Sequence, residues 1–392
     1  MGLIRLVLAL SVAAWHVPGA TFRLLNFAVA VLFFFIISGF YMALVINEKY
    51  ADSSKNWVKQ FYLARFFRLY PAYATMCLVM VVWFIFTKSP TAFTVRLPME
   101  SWQQILLIIS NVFILGQDSF EFARQAIAQQ SAPQALVIAV QKMGGVSFFN
   151  TQWMLVGQAW SLSTEAVFYA IAPFVVRSPL RIVLVLACSL AIRFAFIFGF
   201  GLRSGVWGYW FFPATLCMFM LGALSYHVHR RLRVLFAEIY SRTIGWSLLV
   251  AFFAWFLQQD AVHHYVLASD ATGGIDQLRF WVAYCLLAAS LPFIFAATKN
   301  SSWDRAIGEL SYPLYLVHGL VVGIAYIRWG APKGSPLDMV IVLGVAVLMA
   351  WLMYMLVEQP IERRRHRIAA EMAADTSPIE LQASARKPSS EG

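Results

Sequence analysis

The sequence predicts an all-α, polytopic membrane bundle of about ten transmembrane helices with both termini in the cytoplasm. Two observations set the class. Hydrophobic residues fill 60% of the 392 positions and charged residues only 12%, whereas soluble domains carry about half and a quarter. Apolar runs close to twenty residues long recur from end to end, each able to cross a hydrocarbon core of roughly 30 Å as a helix. A third observation, the spacing of basic loops, sets the orientation.

In order, the spans read Leu3 to Phe22, Leu24 to Ile46, Tyr70 to Phe86, Gln158 to Val176, Leu180 to Phe200, Tyr209 to His229, Ile244 to Gln258, Phe280 to Ala297, Ser311 to Trp329 and Leu337 to Val357. The first run, followed by Pro18-Gly19-Ala20, has the length of a signal-peptide core. It reads instead as a retained span, because it carries His16 and a second apolar run starts at Leu24. Lys49, Lys55, Lys59, Arg65 and Arg68 follow the second span; Arg177 and Arg181 follow the fourth; Arg230, Arg231, Arg233 and Arg242 follow the sixth. Lys299 and Arg305 follow the eighth, and Arg363 to Arg365 with Arg367 follow the tenth. Short cytoplasmic loops are the basic ones, so every even span ends inside.

That parity requires zero or two crossings between Lys88 and Thr151. The reading is an external segment, about 88–157, with the apolar run Ile105 to Leu115 lying at or dipping into the outer surface. The alternative makes Ala135 to Val140 a second crossing. The membrane domain is 1–362, and 363–392 reads as a polar, disordered cytoplasmic tail.

The net charge of +11 is accounted for by these loops and does not point to nucleic acid. The four cysteines lie within apolar runs without metal-ligand spacing and read as buried packing residues. No metal site is expected: external His263-His264 with Asp260 is a poor ligand set, since adjacent histidines rarely share an ion. A transporter is the rival class, but no pair of spans carries the Gly/Pro interruptions of broken transport helices.

Ionisable groups inside a span cost several kcal/mol and mark function by default. Here they are Arg5, His16, Glu165, Arg193 and His318. Arg5 and His16 lie eleven residues apart, about three turns, so they share a helix face with a rise of roughly 16 Å between them. A guanidinium at the cytoplasmic mouth suits phosphate, and an imidazole a pantetheine's length deeper suits a thioester. Alternatively, Arg5 anchors a helix end and His16 is a core histidine. Glu165 and Arg193 lie at similar depth from the outer side. They are expected either to converge with His16 in one outer pocket, Arg193 holding the acceptor or stabilising charge, or to form a structural ion pair. His318, seven residues into its span, belongs to the cytoplasmic layer, as a lining of a CoA channel or as a core histidine. Arg65 and Arg68, three apart, either face acidic lipid heads or grip nucleotide phosphates. Ser161 and Ser163 are possible acyl carriers, though serines at a helix start are usually caps.

Taken together, Ile4-Arg5-Leu6 with Trp15-His16, Phe33 to Phe40 (FFFIISGF), Arg65-Phe66-Phe67-Arg68-Leu69-Tyr70-Pro71, Trp160-Ser161-Leu162-Ser163-Thr164-Glu165, Ser311-Tyr312-Pro313-Leu314-Tyr315-Leu316-Val317-His318 and Val357-Glu358-Gln359-Pro360 make an ordered set across Gly2 to Glu362. In this set the chain resembles the acyltransferase 3 family of bacterial membrane acyltransferases. It departs from that pattern at Leu32 and Ala64. The resemblance implies ten spans in the cytoplasmic (inner) membrane and transfer of an acyl group, acetyl foremost, from cytoplasmic acyl-CoA to a hydroxyl of a carbohydrate or glycolipid acceptor. It implies His16 as catalytic, Glu165 completing the site, and Arg5, Arg65 and Arg68 on acyl-CoA. Acyl-CoA is then a substrate, and no permanently bound cofactor is expected.

Overall fold

The computed structural model describes residues 1–17, 25–50, 56–87, 101–130, 132–142, 154–235, 242–254, 275, 277–329 and 335–364. Among them every regular element is a helix. The N-terminal half contains α1 (Gly2–His16), α2 (Phe27–Glu48), α3 (Trp57–Thr87), α4 (Ser101–Phe113), α5 (Gln117–Ala128), α6 (Gln134–Lys142) and α7 (Trp160–Val175). It continues with α8 (Pro179–Phe194), α9 (Phe212–Leu235), α10 (Arg242–Ala254), α11 (Leu278–Thr298), α12 (Ser302–Glu309), α13 (Ser311–Trp329) and α14 (Pro336–Met353).

Several helix starts are written in the sequence. Asn26 accepts from the Ala28 amide at 2.8 Å to open α2. Ser178 and Ser335 cap α8 and α14, each followed by proline at the first helical position, where its missing N–H costs nothing. Ser301 caps α12 through the Asp304 amide.

Six helical segments of the described residues are long and apolar enough to cross a membrane: Phe27–Glu48, Trp57–Thr87, Pro179–Gly199, Leu278–Thr298, Ser302–Ile327 and Pro336–Arg364. That is fewer than the ten predicted from hydropathy. The other four predicted spans are also helical, but α1, α7 and α10 are short and α9 ends in the polar stretch His227 to Arg231. The predicted seventh span runs past Ala254, and the Pro18-Gly19-Ala20 stretch, His263-His264 with Asp260, and the tail beyond 364 lie outside the described residues.

Exposure sorts the helices into an inner and an outer set. Of the span in α2, 72% is buried, against 17% in α3 and 22% in the spans of α8 and α14. Phe86 and Leu356 on outer helices are 81% and 73% exposed. Apolar surface on that scale is stable against lipid and not against water. Cys188 and Cys285 also face outward, so only Cys217 is the fully buried packing residue that was expected.

Within the core, α2 and α9 touch backbone to backbone. A Cβ on Gly39 would fall 1.9 Å from the Phe219 carbonyl oxygen, and one on Gly222 would fall 1.8 Å from that of Ile36. Lipid gives helices no hydrophobic reason to associate, so close packing of small residues takes its place.

A second close pair sets the register of the site. The Asp304 carboxylate on α12 accepts the Gly2 and Leu3 amides of α1 at 2.7 and 3.0 Å, satisfying donors that a helix start leaves unpaired. Gly308 lies against Gly2 so tightly that a Cβ there would meet the Gly2 Cα at 2.6 Å. From this anchor α1 and the α12–α13 rod ascend side by side.

The stretch read as external is woven into the bundle. α4 and α5 meet at a 120° bend, made possible by left-handed backbone at Gly116 (φ 74°), which glycine adopts without a Cβ penalty. Tyr73 of α3 donates to the Asn111 carbonyl at 2.7 Å, and Ser163 of α7 donates to Asp118 at 2.8 Å. The first bond holds α4 and the second α5 against the bundle. The described part of α6, Gln134–Lys142, is nine residues long, about 14 Å.

Candidate functional site

Two cavities among the described residues gather most of the polar groups inside the bundle. The first, about 560 Å³, gathers Arg5 from α1, Arg65 and Arg68 from α3, Glu165 from α7, and Lys299 and Arg305 around the start of α12. The second, about 970 Å³, holds His16, His318, and residues of α5, α7 and the Tyr209-Trp210 turn. Val31 and Tyr315 line both. The two chambers therefore abut at these side chains, the first at the Arg5 level of α1 and the second at the His16 level.

In the first chamber the cations differ in what they already hold. The Arg68 guanidinium bonds Glu309 at 2.8 Å and Glu358 at 3.3 Å, tying α3 to α12 and to the helical turn after α14. Its charge is matched by carboxylates, so Arg68, read from the sequence as a phosphate ligand, also braces the chamber wall. Arg65, one turn earlier, has a buried Nε with no hydrogen-bond partner among the described residues. With Arg5 it presents cationic surface to the chamber, the arrangement that phosphate oxygens satisfy.

Arg68→Ala would leave two carboxylates facing one another. We expect a loss of about 3 kcal/mol, the scale of breaking a partly buried pair, read as a fall in the thermal midpoint of the purified protein. Arg65→Ala should leave that midpoint near wild type. Equal midpoints for the two variants would refute this division of labour.

Glu165 accepts hydrogen bonds from Ser38 and from Tyr169, the latter at 2.6 Å. It lines the first chamber and not the second, so it does not orient the His16 imidazole. That task falls to the Val12 carbonyl, 2.7 Å from His16 Nδ1. A carbonyl only accepts, so Nδ1 carries the proton and Nε2 keeps its lone pair.

His318 stands beside His16, with ring centroids 5.2 Å apart. The sequence placed it in the cytoplasmic layer because its depth was counted from Ser311. The rod it belongs to starts with α12, and His318 is as far above Asp304 as His16 is above Gly2, which Asp304 caps. The shared register brings the imidazoles level.

Arg193 lines neither chamber. Its guanidinium donates to the Ala214 carbonyl at 3.1 Å and lies 5.4 Å from the Trp281 ring centroid. Similar depth did not bring His16, Glu165 and Arg193 together, because depth along a helix says nothing about azimuth and Arg193 is on the α8 face that packs against α9. Ser161 and Ser163 are not caps: Ser161 bonds Tyr315 Oη at 2.6 Å, and Ser163 bonds Asp118. Tyr315 was missed as a site residue, although it lies within the Ser311 to His318 motif; nothing linear says that it stands where two chambers meet.

A sequence model of an acyltransferase domain matches residues 1–355. The chain belongs to the acyltransferase 3 family. No curated protein and no solved structure shows significant similarity to it. As a member of that family it is a multi-pass membrane acyltransferase, and the ordered motifs of the family fall on the chambers. The Arg5 and His16 pair opens them from α1, the Arg65 to Pro71 motif supplies cation and strut, and Glu358 of the last motif completes the Arg68 pair.

Among the described residues no three His, Cys, Asp or Glu side chains stand close enough together to hold a metal ion.

Proposed function

We propose that this acyltransferase moves an acyl group, acetyl foremost, from cytoplasmic acyl-CoA to a hydroxyl of an exported or cell-surface carbohydrate. It would act in the bacterial cytoplasmic membrane, crossing ten times with both termini on the donor side. The observation that carries this reading is the division of the interior into a cationic chamber and an imidazole chamber that meet at Val31 and Tyr315. A donor with charged phosphates at one end and a thioester at the end of a long arm matches that division.

In this scheme the phosphates rest on Arg5 and Arg65, with Lys299 and Arg305 near the entrance. The pantetheine arm passes Tyr315 and Val31 and delivers the thioester carbonyl to His16. His16 Nε2 accepts the proton of the acceptor hydroxyl as its oxygen bonds to the carbonyl carbon. The C–S bond then breaks, and the CoA sulfur leaves toward the first chamber and takes up a proton. A positioned base of this kind contributes about 10² to 10⁴ in rate. His318, buried beside His16, keeps the imidazole face packed.

The test uses the full chain in lipid nanodiscs with radiolabelled acetyl-CoA. Label should pass to the producing strain's surface glycan, and acetyl-CoA should bind in the absence of acceptor. Arg5→Ala is expected to weaken that binding by about ten- to a hundredfold, the loss of a charge-assisted contact worth about 1.5–3 kcal/mol. Unchanged affinity in Arg5→Ala would remove the phosphate clamp from the scheme. Absence of label from every acceptor would remove the scheme itself.

A further inference from the structure

The imidazole chamber is larger than a thioester and an acyl group require, and its far wall is chemically distinct from the rest. Trp160, Tyr209 and Trp210 pack there as a cluster, with Trp160 centroids 4.9 Å from Tyr209 and 4.0 Å from Trp210. Trp210 is only 8% exposed, and its indole Nε1 is buried with no hydrogen-bond partner among the described residues. An orphaned buried N–H costs about 1–3 kcal/mol, so tryptophan is a poor choice for a wall that only packs. Phenylalanine would supply the same apolar face without the penalty.

The facing wall is polar. Glu121 of α5 is 3% exposed. It accepts Arg124 Nε at 2.8 Å on one oxygen and Gln125 Nε2 at 2.8 Å on the other. All three residues line the chamber. A buried carboxylate held by a partly exposed guanidinium and a carboxamide on a cavity wall offers planar donors and acceptors at fixed positions. A lipid acceptor would leave them without use.

The geometry points to this outer end of the imidazole chamber as the acceptor subsite, built for one pyranose ring of a carbohydrate. The aromatic cluster takes the ring's C–H face. Trp210 Nε1 donates to a ring or hydroxyl oxygen, and the Glu121, Arg124 and Gln125 group binds the remaining hydroxyls. The acceptor hydroxyl is thereby turned toward His16. This assignment rests on the reading of the protein as a carbohydrate acyltransferase. It gives Arg124 and Glu121 the acceptor role that the sequence alone suggested for Arg193.

The test separates binding from transfer. The full chain in nanodiscs is dialysed against oligosaccharides released by mild acid from the producing strain's surface glycan, and in a parallel arm against decanol. Wild type is expected to retain saccharide and not decanol. Trp210→Phe, which keeps a smaller aromatic face and loses the N–H, should weaken saccharide binding about tenfold, equivalent to one hydrogen bond of about 1.4 kcal/mol. Glu121→Gln should weaken it at least as much. In transfer assays both variants should raise KM for the acceptor and leave KM for acetyl-CoA unchanged. Trp210→Phe decides the matter if Glu121→Gln does not fold. Saccharide binding without any transfer would sink the reading of acyl transfer to carbohydrate and keep the subsite. Retention of decanol in place of saccharide, or variants that bind saccharide as wild type does, would overturn the subsite.

Discussion

His16→Ala, inserted at wild-type level, is expected to lose acyl transfer by about 10² to 10⁴-fold while binding acetyl-CoA normally. The size follows from the geometry of the ring. Val12 fixes Nδ1 as the protonated nitrogen, so Nε2 is held as a base without the entropy of choosing a tautomer or rotamer. The normal donor affinity follows from distance, since the charged contacts proposed for CoA lie at the Arg5 level, roughly 16 Å down the same helix. His318 is the only other imidazole on the chamber wall among the described residues. It is 2% exposed, against an accessible His16 ring, so it cannot turn to replace the missing base. His318→Phe should therefore cost far less than His16→Ala. A His16→Ala protein that still transfers label at a tenth of the wild-type rate or better would end the assignment.

The parts of this arrangement that the sequence carried are those that depend on one helix. Arg5 and His16 were readable as a pair because both lie on α1, where 100° per residue fixes azimuth and rise together. Six of the ten spans were readable because apolarity over some twenty residues is a local property, whereas the other four predicted spans fall on helices that are shorter or more polar. The misplaced side chains all concern relations between helices. Arg193 and Glu165 were read as lying at the depth of His16, but Arg193 packs against α9, and Glu165, bonded to Ser38 and Tyr169, lines the chamber at the Arg5 level. His318 was misplaced because the break at Leu310 looked like the edge of the membrane, whereas α12 continues the rod below it. Arg68 looked like Arg65 until Glu309 and Glu358, more than 240 residues away in sequence, came to its guanidinium. The α5 charges were hidden because 88–157 reads as an external segment with one surface helix at Ile105 to Leu115, until the bend at Gly116 brings α5 against α7.

Gly222→Val should remove folded protein altogether, and the reason lies in what the new side chain would meet. Its Cβ would stand 1.8 Å from the Ile36 carbonyl oxygen and 2.8 Å from the Phe40 amide nitrogen. Both are backbone atoms of α2, which no rotamer change can move. The clash is relieved only if α9 backs away from α2 along its length. That would also open the contact at Gly39 and the stacked rings of Phe35 and Phe219, whose centroids are 4.5 Å apart. Overpacking by ordinary side chains costs about 1–3 kcal/mol, and a collision between main chains exceeds that range. Because α2 also carries Val31 and Ser38 into the two chambers, such a shift would dismantle the site together with the core. The control is Gly344→Val on α14, where a Cβ meets nothing within 4 Å; it should give wild-type yield and thermal midpoint. If Gly222→Val purified as a single species with an unchanged midpoint, α2 and α9 would not be in contact as described, and the partition of the interior into two chambers would have to be redrawn.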